Sequence, residues 1–93
     1  MFNENEEQLV NMGNAAEELL KMEVFNQTIN TMVDATFQTF CNSKPEETAS
    51  RDKSYHHYRA LVDIVSTLQQ RVAIKDEIVA KAASDSDNNQ EDA

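Results

Sequence analysis

One glycine, one proline, one cysteine and no tryptophan occur among the 93 residues of this chain. A single glycine excludes glycine-rich phosphate-binding loops. With one proline beside it, it also leaves too few turn formers for a β-rich fold. The lone Cys41 cannot close an internal disulfide, and it offers one thiolate where a structural zinc site needs several converging ligands. Aromatic residues, at 6%, provide few large anchors. Basic residues are also scarce: eight Lys and Arg stand against 17 Asp and Glu, for a net charge of −9. Such a chain is repelled by nucleic-acid phosphates and anionic membranes. Direct nucleic-acid binding is therefore disfavoured, while a basic partner, or mimicry of DNA by ordered carboxylates, stays open. There is no run of about 18 apolar residues, no signal-peptide pattern, and no glycine after Met1 for myristoylation. The expectation is a soluble protein made in the cytoplasm, with no membrane partner.

What the chain does contain is helical periodicity. Between Pro45 and Lys81, Tyr58, Leu61, Val65, Leu68, Val72 and Val79 follow one another at steps of three and four, with Lys75 in the one missing place. That spacing is an a/d seam of about three heptads, and it predicts a long helix that needs partner helices. Val62, Ile64, Ile74 and Ile78 lie off the stripe and call for cover of their own.

The first arm opens with Asn3 as N-cap and Glu6 three residues later, a capping-box spacing, and Glu4, Glu6 and Glu7 suit the helix dipole. Leu9, Met12, Ala16, Leu19 and Leu20 form one face, with Gly13 marking either a close approach of helices or a hinge. Met22, Phe25, Ile29, Met32, Thr36 and Phe40 continue the pattern, with Val33 and Phe37 beside it. Nothing near Lys21–Glu23 is a strong breaker. One helix from Glu4 to about Cys41 and two helices with a bend there are both consistent with the residues. A continuous first arm would measure about 57 Å and the seam from 45 to 81 about 55 Å, at 1.5 Å per residue. Pro45 ends the first arm, since it pushes Lys44 away from the helical region, and Ser43 with Glu46 has capping-box spacing. The fold predicted is all-α: an antiparallel hairpin of two long helices over residues 1–83, in two- or three-helix form, turning at 42–45. Residues 84–93 lack any apolar side chain before Ala93 and carry four acidic groups, which predicts a disordered acidic tail.

Candidate chemistry is sparse. His56 and His57 point about 100° apart on a helix and do not naturally share a metal ion. No Glu-x-x-His or His-Glu-x-x-His spacing accompanies them. Cys41 with either histidine would be a nucleophile–base pair without an oxyanion hole. No catalytic, cofactor-binding or metal-binding residue is assigned, no cofactor is expected, and the chain reads as non-enzymatic. Tyr55 and Tyr58, near Phe37 and Phe40, either close the core at the turn or serve as binding anchors. Phe37, Phe40, Tyr55, Tyr58, Val62, Ile64, Ile74 and Ile78 are the interface candidates.

Several groups of residues taken together carry a resemblance. They are Gly13-x-x-Ala16-x-x-Leu19-Leu20, Phe25-Asn26-x-x-Ile29, Lys44-Pro45-x-Glu47-x-x-x-Arg51, and Ala60-Leu61-x-Asp63 with Leu68 and Val72. Over residues 9–80 the chain resembles small all-helical accessory proteins encoded in the structural and packaging gene modules of tailed bacteriophages. The resemblance implies a virion or assembly component that associates with itself or with another virion protein, and it supplies no catalytic residues. A packaging (small terminase-like) subunit, or an acidic DNA-mimic inhibitor, is the alternative expectation.

Overall fold

The computed structural model describes residues 2–92, with side-chain surroundings described through Asp85. It is all-α, as the composition predicts. Helix α1 runs over Glu4–Lys21, α2 over Glu23–Asn42 and α3 over Thr48–Asp92, and no strand occurs among the described residues.

Local chemistry accounts for the boundaries. At the start of α1 the Asn3 amide donates to Glu6 Oε1 at 3.1 Å and the Glu6 amide donates to Asn3 Oδ1 at 2.8 Å. Two orphan amides are thereby satisfied reciprocally. Between α1 and α2, Met22 is extended at φ −77° and ψ 119°. Its side chain makes no capping hydrogen bond. The Asn26 side-chain amide instead reaches back and donates to the Leu20 carbonyl at 2.8 Å, satisfying an acceptor that α1 leaves open.

The connection between α2 and α3 differs from the predicted turn. Ser43 does not cap α3; its hydroxyl donates to the Phe40 carbonyl at 2.7 Å and closes α2. Pro45 and Glu46 lie in a turn closed by the Glu47 amide donating to the Lys44 carbonyl at 2.9 Å, so α3 begins at Thr48 rather than at the proline. The box-like contact falls one residue later, with the Lys44 amide donating to Glu47 Oε1 at 3.4 Å.

At its other end α3 continues to Asp92. Residues 84–92 therefore extend the helix, where the sequence predicts a separate tail from 84 to 93. No glycine or proline stands after Ala83 to end the helix. The side chains beyond Asp85, and Ala93 itself, lie outside the described residues.

The chain divides into two compact units, Met1–Leu19 with Leu68–Ala93, and Leu20–Thr67. In the first unit Gly13 and Ala16 of α1 are buried, with Leu9, Met12 and Leu19 half-buried beside them. They meet the later part of α3, where Leu68, Val72, Lys75, Ile78 and Ala82 are half-buried. A Cβ on Gly13 would lie 2.8 Å from the Arg71 carbonyl oxygen and would overlap the Lys75 Cβ. Glycine is thus needed here for backbone approach.

In the second unit α2 has no buried residue. Phe25, Ile29, Val33 and Thr36 form its half-buried row. The early part of α3 answers with Ser54 and Leu61, both buried, and Val65, half-buried. The seam read from the sequence is therefore the inward face of α3, except that Tyr58 and Val79 are exposed. On α2 the predicted seam members Met22, Met32 and Phe40 also face solvent. Val33, one position round from Met32, takes the inward place.

Candidate functional site

The second unit holds six of the eight interface candidates and brings four of them together at one cleft. Phe37 and Phe40 stand at the end of α2, and Tyr55 and Tyr58 stand two turns into α3. Together with Thr36 and Ser54 they line one cleft of about 280 Å³. Its two small lining side chains, the half-buried Thr36 and the buried Ser54, leave room between the aromatic rings. All four aromatic side chains are exposed, Phe37 at 61%, Tyr55 at 53%, Phe40 at 45% and Tyr58 at 39%. They do not close a core at this end. A cleft of that volume has room to receive one or two side chains.

The turn before the cleft is tied down by Arg51, whose guanidinium donates to the Pro45 carbonyl at 3.3 Å. Tyr55 meets the His56 ring edge-on, with centroids 5.8 Å apart. Arg59 faces Asp63 at 3.6 Å, one helical turn on. A second opening, on the other side of Ser54 and Thr36, is lined by polar groups including Thr39, Lys53 and His57.

The remaining candidates are dispersed. Ile64 is exposed and Val62 half-buried in the second unit. Ile74 is exposed and Ile78 half-buried in the first. Cys41 is exposed at the end of α2. Among the described residues no group of three His, Cys, Asp or Glu side chains gathers where it could hold a metal ion. No helix among them is long and apolar enough to cross a membrane.

Two features of the arrangement escape a reading of apolar spacing. Ser54 sits one a/d step before Tyr58, and its polarity hides its place on the seam. Lys75, the polar member of the seam, has its side chain 11% exposed and pairs with Glu17 of α1. That hydrogen bond, followed by the attraction of the Glu17 and Asp76 carboxylates, raises the Lys75 ammonium above its ordinary range against an opposing desolvation. A charged group placed in an apolar seam restricts which residues can oppose it and so fixes alignment.

Comparison of the chain with family models, with curated proteins and with solved structures finds no match.

Proposed function

We propose that this chain is a non-enzymatic protein–protein interaction module that assembles with further copies of itself. The observation carrying this reading is the apolar surface left in water. Ala16 and Leu61 are the only hydrophobic residues buried among the described ones, while ten large hydrophobic side chains are exposed. Burying apolar surface yields roughly 25 cal/mol per Å². A helix that leaves this much uncovered gains more from a partner than from its own chain. The resemblance to small helical proteins of tailed-phage structural and packaging modules supports placing the assembly in a virion or its construction, with another virion protein as the second partner class.

Light scattering or native mass measurement at micromolar concentration tests the reading. The expected mass is a multiple of the 10.5 kDa chain. A strict monomer throughout that range would remove self-assembly.

A further inference from the structure

Copies of this chain, we infer, meet through the second unit, on the face that α2 and the early part of α3 build around Phe37, Phe40, Tyr55 and Tyr58. The inference rests on the self-assembly reading above and names the surface and its occupant.

Charge selects the unit. Residues 20–67 carry five basic and six acidic side chains, a net of −1, whereas residues 1–19 with 68–93 carry three basic and eleven acidic, a net of −8. A second copy brings the same charges. Apposing two first units would set −8 against −8, while apposing two second units sets −1 against −1. A two-fold interface must be complementary to itself. A near-neutral unit that carries both signs, five basic against six acidic side chains, meets that condition. A strongly basic partner would be drawn to the first unit instead.

Composition selects the face. Among the 20 residues of α2 only Glu23 and Asp34 are charged, although none of the 20 is buried. Helices that stay in water usually carry charge on the outer face, and depletion of charge marks the centre of interfaces. Met32, Phe37 and Phe40 are exposed on the same helix.

Size is adequate. Four aromatic side chains about half exposed present roughly 400 Å², since each buries about 150–250 Å² in full. A stable interface takes about 800 Å² from each partner. The uncharged remainder of α2 provides further area, and the cleft over Ser54 and Thr36 has room for a side chain of the second copy.

Phe37→Glu and Tyr55→Glu test the face, with Val79→Glu in the first unit as control; all three positions are exposed, and far-UV circular dichroism checks that the helices persist. Native mass measurement should find the wild type and Val79→Glu assembled. The two face variants should fall to single chains, with a dissociation constant raised about 30-fold or more, as for an interface hot spot. Face variants that assemble like the wild type overturn this inference and leave the self-assembly reading standing. Loss of assembly in Val79→Glu alone moves the interface to the first unit and overturns it equally. A monomeric wild type overturns both.

Discussion

Gly13 sits in α1 where intrinsic preference and packing act in opposite directions. In an exposed helix, replacing glycine by alanine stabilises by roughly 1 kcal/mol. Here the new Cβ would come within 2.8 Å of the Arg71 carbonyl and overlap the Lys75 Cβ, neither of which is the free end of a flexible side chain. Overpacking of this kind costs typically about 1–3 kcal/mol. Gly13→Ala should therefore lower stability by up to about 2 kcal/mol net. That corresponds to a fall in melting temperature of up to roughly 16 °C for a domain of this size. A melting temperature that rises would sink the close approach, because only an uncrowded glycine gains from the substitution.

Lys75 gives a second residue-scale prediction. Its ammonium is held above the ordinary lysine range by the Glu17 hydrogen bond, so the folded state retains that proton better than the unfolded chain does. The resulting stability is fully present below the unfolded lysine value of about 10.4 and is lost as pH rises through the folded one. Thermal melts from pH 8 upward should show the wild type losing stability beyond about pH 10 relative to Lys75→Met. All other ionisable groups are common to both proteins, so their contributions cancel in the difference. Parallel curves would mean that the Glu17 contact does not stabilise the charged Lys75 in the folded state.

At the scale of elements, what was legible follows from how local each cause is. The capping pair Asn3 and Glu6 is written in three consecutive spacings and forms as read. The α3 seam is legible because 3.5-residue periodicity persists long enough to outvote one lysine. The interruption at Met22 is not legible in this way. No glycine or proline announces it, and the group that serves the open end of α1 is an asparagine four residues beyond the break. The loop before α3 misleads for a similar reason. Ser43 and Glu46 have the spacing of a cap, yet Pro45 spends the next residues in a turn and Ser43 bonds backward to Phe40. On α2 the apolar residues form a band wider than one seam, so spacing alone cannot tell Val33 from Met32 as the inward residue. The aromatic cluster was found as a set of neighbours across the turn. Whether it faces inward depended on Thr36 and Ser54, whose small polar side chains carry little hydrophobic signal.

For the whole molecule, the uneven charge makes salt the discriminating variable. Two chains of −9 repel at long range wherever they touch, and the strength of that repulsion depends on how near the charged groups come. The screening length is about 30 Å at 0.01 M salt and about 10 Å at 0.1 M. If copies meet through the second unit, the apposed surfaces carry only −1 each and add little to that repulsion. Added salt should then tighten association modestly, by less than about tenfold across that range, with a shallow further change at higher salt. An interface made by the first units would set a net −8 against −8. It would be close to absent at 0.01 M and strengthen steeply as salt is added. Attraction between oppositely charged surfaces would give the reverse sign, weakening as salt rises. Sedimentation equilibrium across a salt series therefore separates three arrangements by the sign and steepness of one curve. A steep rise, or any fall, would rule out the near-neutral aromatic face as the place where the copies meet.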